Sequence, residues 1–195
     1  MDSRGFMKAF LKEHSYNAMI VFVNQFAIAI FGLVLCLATA MAENTTLQLI
    51  TSIGAIVFYL FLVYFKLWEI GAKDSVSVEY GKKDKRSLTG LYIGLVANVP
   101  NFLLALLFTL GTPFMSDYGW AGSLCAVTKV IMLILEGMYT GILSYFQIGG
   151  MPLNSYWWAY FLITVPALLT TMIAYLMGLH NIKMTKWFDY KDPNA

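Results

Sequence analysis

Long runs of apolar residues alternate with short polar segments along this chain. Each run comes near the ~20 residues that a helix needs to cross ~30 Å of hydrocarbon. Apolar and small residues lie on nearly all sides of each run, without the period-two alternation of a barrel strand. The pattern predicts an all-α, polytopic transmembrane helical bundle of about five spans in one integral membrane domain (1–195). The expected spans are 17–41, 47–70, 88–111, 121–146 and 156–179.

The segment 2–14 differs from these runs because its apolar residues lie on one side only. Phe6 and Phe10 fall on one face of a helix, and Lys8 and Lys12 fall on the opposite face. This arrangement is typical of an amphipathic helix that lies in the membrane interface. The alternative is a frayed terminus.

Composition strengthens the membrane assignment. Hydrophobic residues make up 59% of the sequence, whereas soluble domains have roughly 45–50%. All five Trp lie within or just beyond the edges of the apolar runs, where the indole N–H can reach the headgroup region. We therefore expect the lipid bilayer to be the main partner of this chain.

The distribution of cations predicts an orientation. The connections 42–46 and 112–120 contain no Lys or Arg, whereas the basic loop, 71–87, contains a cluster of them. The positive-inside rule then places the N-terminus and the basic loop in the cytoplasm of a multi-pass cell-membrane protein.

The C-terminal tail conflicts with a count of five spans. Five crossings would put the tail outside, although it carries Lys183, Lys186 and Lys191. Either the tail tolerates this bias because earlier loops fix the orientation, or one span is re-entrant and the number of crossings is even. We take five spans as the expectation.

Small residues recur at helical spacing within the spans. Gly90 and Gly94 are four residues apart in the third run, and Gly137 and Gly141 are four apart in the fourth. Lipid tails are as apolar as leucine, so membrane helices associate through close backbone approach at such positions. The four glycines therefore predict a helix-packing face, either between helices of this chain or against a partner subunit.

A proline flanked by two amides marks the third run. Pro100 removes a backbone donor inside the span and is expected to kink or break the helix. Asn98 and Asn101 lie beside it on neighbouring faces. Their amides would either satisfy the backbone groups that the proline frees or form part of a polar ligand site.

Two charged residues lie inside the fourth run. Lys129 and Glu136 are two helical turns apart and share a face with Thr140 and Ser144 if the helix is continuous. A charge at the bilayer centre costs roughly 2.5–3.5 kcal/mol, so this face should be wet or paired. Lys129 would either pair with Glu136 or extend toward the outer surface. The candidates for a ligand or ion pathway are therefore Glu136, Lys129, Asn98, Asn101 and Thr140.

Other chemistries lack a signature in the sequence. His14 and His180 are the only histidines, no Ser stands in G-x-S-x-G, and no paired acids share a face. We therefore predict no catalytic residue and no enzyme. Cys36 and Cys125 lack metal-ligand spacing, so no metal or cofactor is expected. The small net charge of +2 is dispersed, which argues against nucleic-acid binding.

Two function classes remain. One is a non-catalytic membrane subunit that packs through its small-residue faces onto a partner, or onto a second copy, in a membrane complex such as a transport complex. The other is a small transporter or channel for a small solute or ion that uses the Pro100 and Glu136 region. The subunit is the expectation, because the loops are too small for an energy-coupling site and one buried acid offers little to a polar substrate.

Overall fold

The computed structural model describes residues 3–182, and these residues are almost entirely helical, which confirms the all-α class. The helices in chain order are α1 (Ser3–Met41), α2 (Thr45–Glu79), α3 (Thr89–Ala97), α4 (Val99–Gly111), α5 (Gly119–Leu135), α6 (Thr140–Tyr145), α7 (Ala159–Leu162) and α8 (Val165–Leu179). Between α6 and α7, β1 (Gln147–Ile148) and β2 (Met151–Pro152) form a small antiparallel hairpin, in which Ile148 is opposite Met151.

Three helical segments are long and apolar enough to cross a membrane. They are Phe10–Met41, Thr45–Glu79 and Ala159–Leu179. Two bent helix pairs are also apolar enough, and they raise the number to five if each pair is one span. The pair α3 and α4 bends by 54°, and the pair that starts with α5 and ends with α6 bends by 88°. Five spans therefore stays a prediction.

The first two helices are longer than the sequence predicted. The segment 2–14 was expected to be separate from the first span, but α1 runs without a break, because neither Gly nor Pro occurs between Phe6 and Phe31. An interfacial position for its first turns stays a prediction. The basic loop was expected to begin at Gly71, but α2 continues to Glu79. It ends where Gly81 adopts a φ of +67° and Lys82 donates its N–H to the Ser77 carbonyl at 2.9 Å.

The third and fourth runs are not continuous helices. Residues 88–111 break at Asn98 and residues 121–146 break at Glu136. The fifth run, 156–179, contains a short turn between α7 and α8, where Pro166 lies in the first turn of α8. The break at Glu136 also removes the continuous face that was expected to carry Lys129, Glu136, Thr140 and Ser144.

In the described part of the chain the surface is largely apolar, and the mainly apolar interior also contains polar residues. Large apolar side chains such as Phe31, Val57 and Leu103 are exposed along the long helices. The buried polar residues on the apolar runs include Gln25, Asn98, Asn101, Thr128, Glu136, Thr164 and Thr171. An exposed apolar surface of this extent is unfavourable in water and favourable in lipid, so the fold suits a membrane protein.

The directions of α2 and α8 determine which ends of the helices lie together. Near the end of α2, the Trp68 indole N–H donates to the Ile182 carbonyl at 2.7 Å. Asp74 accepts a hydrogen bond at 2.9 Å from the hydroxyl of Tyr175. Farther back along α2, Tyr59 lies beside Thr164, just before α8 begins. The two helices are therefore parallel, and α8 ends on the side of the bundle that carries the basic loop, which we call the basic-loop end.

Glycines allow the helices of this chain to approach one another closely. A Cβ on Gly137 would lie 2.6 Å from the Ala29 carbonyl oxygen of α1, and a Cβ on Gly141 would collide with the Gln48 carbonyl of α2. The two glycines of α3 face α8 in the same way: Gly90 lies against Tyr175, and Gly94 against Thr171. All four glycines of the predicted packing face therefore contact other helices of the same chain.

Candidate functional site

The break at Asn98 is stabilised by the two asparagine amides. Asn98 ends α3, and its side-chain NH2 donates to the Gly94 carbonyl at 2.9 Å. Asn101, one turn into α4, donates to the side-chain oxygen of Asn98 at 3.1 Å. Pro100 lies in the first turn of α4, where its missing N–H leaves no helical bond unmade. The amides thus satisfy part of the broken backbone, but the side-chain oxygen of Asn101 has no hydrogen-bond partner among the described residues.

The break at Glu136 is fixed by helix α2. Glu136 ends α5 with its N–H donated to the Met132 carbonyl at 2.8 Å, and a short 3₁₀ turn, Gly137–Tyr139, leads into α6. Ser52 of α2 donates to the Met138 carbonyl and accepts the Ile142 N–H at 3.4 Å, so it satisfies backbone groups that the break exposes. The bend therefore has its own hydrogen bonds and is a defined feature of the fold.

The Glu136 carboxyl group lies in the middle of the bundle, where the two breaks meet. Its side chain is 3% exposed, and neither carboxyl oxygen has a hydrogen-bond partner among the described residues. The same small space is lined by Asn101, Tyr139, Gln25 and Tyr59. We call these five residues the polar centre.

Helices α1 and α2 complete the polar centre. The Tyr59 hydroxyl points to the side-chain oxygen of Gln25 at 3.4 Å, a long hydrogen bond between the two helices. The Tyr139 hydroxyl is buried and has no partner within residues 3–182. The polar centre therefore combines one acid with amide and phenol groups, several of which have unused hydrogen-bonding capacity.

A cavity of about 240 Å³ adjoins the polar centre at Glu136. Its polar lining consists of Lys129, Glu136, Thr140, Asn154 and Tyr160, and the remainder is apolar. Asn154 belongs to the connection between β2 and α7, on the opposite side of the bundle from the basic-loop end. We call this space the Glu136 cavity. Its size and mixed lining suit a small solute.

Of the two arrangements considered for Lys129, the ion pair with Glu136 is not formed. The ammonium nitrogen of Lys129 lies 5.1 Å from the centre of the Phe108 ring, a cation–π contact. No carboxylate within the described range lies within 4.0 Å of it. Lys129 and Glu136 thus line the same cavity as separate groups.

The structure places the other four candidate pathway residues near Glu136. Lys129 and Thr140 share the Glu136 cavity with it, and Asn98 and Asn101 lie on the side of the polar centre. Sequence reasoning missed Tyr59 and Tyr139. The signal was a phenol deep inside an apolar run, because a buried Tyr hydroxyl requires a polar partner.

A second polar cluster lies at the basic-loop end. Lys83 contacts the carboxylate of Glu13 and donates to Asp74 at 2.7 Å, while Tyr175 donates to the other oxygen of Asp74. Partial burial opposes the charge of Lys83, but the hydrogen bonds to Asp74 and Glu13 outweigh it and raise the pKa of this lysine. The cluster joins α1, α2, the basic loop and α8. Because Lys83 bridges the two carboxylates and so ties these segments together, we assign the cluster a structural role.

Comparison with known proteins adds no relative to this description: no family model, no curated protein and no solved structure matches the chain.

Proposed function

We propose that this chain is a small membrane transporter or channel in which Glu136 binds a solute or ion inside the membrane. The observation that carries the proposal is the buried Glu136 carboxyl group, which has no partner in the described chain and borders a cavity. An acid inside a span costs roughly 2.5–3.5 kcal/mol, and such residues mark substrate or ion pathways. A purely structural role would favour a hydrogen-bonded or paired carboxyl group.

The helix breaks support the same proposal. Transporters bind substrates and ions at discontinuous helices, where backbone groups are free to contact a ligand. Here α3 ends at Asn98 and α5 ends at Glu136, and both ends face the polar centre. Irregular backbone at membrane depth is tolerated where protein or a cavity surrounds it, and both conditions are met at these breaks.

The glycine faces do not support the alternative of a subunit that binds a partner through them. Gly90, Gly94, Gly137 and Gly141 are each covered by a neighbouring helix of the same chain. A partner would have to bind elsewhere on the surface.

The helix directions support four crossings and one re-entrant hairpin. Helix α6 leads from Glu136 to Gln48, close to the start of α2, and the 88° bend turns it away from the direction of α5. A hairpin of α5 and α6 would then enter the membrane from the side opposite the basic-loop end, with Glu136 near its tip. The lysines of the tail, which lie outside the described residues, would share a side with the basic loop, as the positive-inside rule requires. The rule then favours a cytoplasmic N-terminus.

Cysteine labelling tests this crossing number. In a chain with Cys36→Ala and Cys125→Ala, we expect Asp84→Cys and Ile182→Cys to react with an impermeant maleimide from the same side of the membrane. Ser116→Cys, in the connection between α4 and α5, should react from the opposite side. Five crossings would instead make Ile182→Cys react together with Ser116→Cys.

Transport itself is tested with purified protein in liposomes. Solid-supported membrane electrophysiology records charge movement when unlabelled amino acids, amines, carboxylates, sugars or inorganic cations are added in turn. We expect at least one class to give a current in the wild type that Glu136→Gln and empty liposomes do not show. Absence of current for every class, together with a stoichiometric protein that co-purifies in mild detergent, would contradict the proposal and favour a subunit.

A further inference from the structure

Three residues of the polar centre carry buried oxygen atoms without a partner. Both carboxyl oxygens of Glu136, the side-chain oxygen of Asn101 and the hydroxyl of Tyr139 are buried without a hydrogen-bond partner in residues 3–182. All three side chains line one space, beside Gln25 and Thr164. A buried oxygen without a partner is unfavourable, and four in one place indicate that something else contacts them.

We infer that the polar centre binds a dehydrated monovalent cation of the size of sodium, an inference that rests on the proposed transport function. The direct ligands are oxygens of Glu136, Asn101 and Tyr139. Oxygen atoms are the ligands that hard cations take, and a ring of them can replace the hydration shell of the ion.

The charge of the site matches one positive charge. Glu136 is the only carboxylic acid among the described residues that line the polar centre. Lys129 lines the adjoining cavity and lies over Phe108. One carboxylate neutralises a monovalent ion, whereas a divalent ion would leave an excess charge inside the membrane, which is costly.

The backbone around the site also favours a cation. Helices α3 and α5 end at Asn98 and Glu136, and the C-terminal end of a helix carries a partial negative charge. Half-helix C-termini contribute to sodium sites in membrane transporters in the same way.

Thermal unfolding of the full chain in detergent tests the site, with Trp fluorescence as the readout. At equal ionic strength, we expect NaCl to raise Tm by several degrees over choline chloride, in a saturable manner, since a ligand that binds only the folded state stabilises it. KCl should raise Tm less. Glu136→Gln should remove the sodium effect, and Tyr139→Phe should raise the half-saturating sodium concentration about tenfold, because it removes one ligand.

Asn24→Leu is the matched control. Asn24 is a polar residue of α1 at similar depth, but it lies in a different groove, beside Leu62 and Phe65. This variant should keep the sodium effect. Equal Tm in all three salts, or a sodium effect that persists in Glu136→Gln or is unchanged in Tyr139→Phe, would overturn the inference. A Tm that depends on pH but not on the cation would identify a proton as the occupant and would also overturn it.

The result of the thermal-unfolding test can be distinguished from the result of the transport assay. Solute currents without any sodium effect on Tm would contradict the cation site but leave the proposed function intact. A sodium effect on Tm, with no current in liposomes and a stoichiometric protein that co-purifies, would support the cation site and contradict transport.

Discussion

Gly141→Leu is expected to lower the thermal stability of the protein strongly. A Cβ at this position already collides with the Gln48 carbonyl and lies 2.7 Å from the Ser52 Cβ. The added side chain would push α6 away from α2, and the hydrogen bonds of Ser52 to Met138 and Ile142 would be lost with it. Overpacking against backbone costs about 3 kcal/mol, which corresponds to a loss of about 10 °C in Tm for a chain of this size.

Gly54→Leu is the matched control for this prediction. Gly54 is also a helical glycine, but it is exposed on α2, and nothing lies within 4 Å of a Cβ built there. The variant should unfold close to the wild-type Tm in the same detergent. If Gly141→Leu were as stable as Gly54→Leu, α6 would not pack on α2 as described.

The long helices could be predicted from hydropathy alone, because a membrane imposes length and composition on any segment that crosses it. The starts and ends were less predictable. Helix α2 extends to Glu79 because the polar residues after Gly71 remain compatible with a helix until Gly81 ends it. Hydropathy marks where a helix leaves the hydrocarbon and does not mark where the helix ends.

The sequence predicted the break in the third run but not the break in the fourth run. Pro100 predicted a break in the third run, and α3 indeed ends at Ala97, three residues before it. The break at Glu136 involves no proline. It depends on the Gly137 crossing with Ala29 and on the Ser52 hydroxyl of α2, which are tertiary contacts between residues far apart in the sequence. The fourth run therefore looked like a continuous helix.

Only part of the candidate site could be predicted from the sequence. Glu136 stood out because an acid inside an apolar run is costly. Pairing with Lys129 was one of two alternatives, and it is not formed, since it required a straight helix through residue 136. Tyr59 comes from α2 and reaches Glu136 only after the helices pack, whereas Tyr139 follows Glu136 by three residues in the same run and reaches the polar centre through the break in the helix. Periodicity within one segment carries no information about such contacts.

Glu136→Gln is expected to separate function from stability. In sodium-free buffer the variant should unfold within about 1 kcal/mol of the wild type, because glutamine keeps the shape and no ion pair is lost. The solute current in liposomes should disappear. A neutral amide can neither carry a proton nor balance the charge of a bound cation, and these are the roles that the buried acid has in the proposal.

A double-mutant cycle with Lys129→Met measures whether the two charges interact. Since the Lys129 ammonium lies over Phe108, the coupling free energy should stay below about 0.5 kcal/mol. An ion pair would behave differently: Glu136→Gln alone would strand a buried cation and cost about 3–5 kcal/mol, and the double variant would recover much of that stability. A large coupling energy would therefore contradict the separation of Lys129 from Glu136. Full current in the double variant would show that Glu136 does not belong to the functional site and serves only in packing.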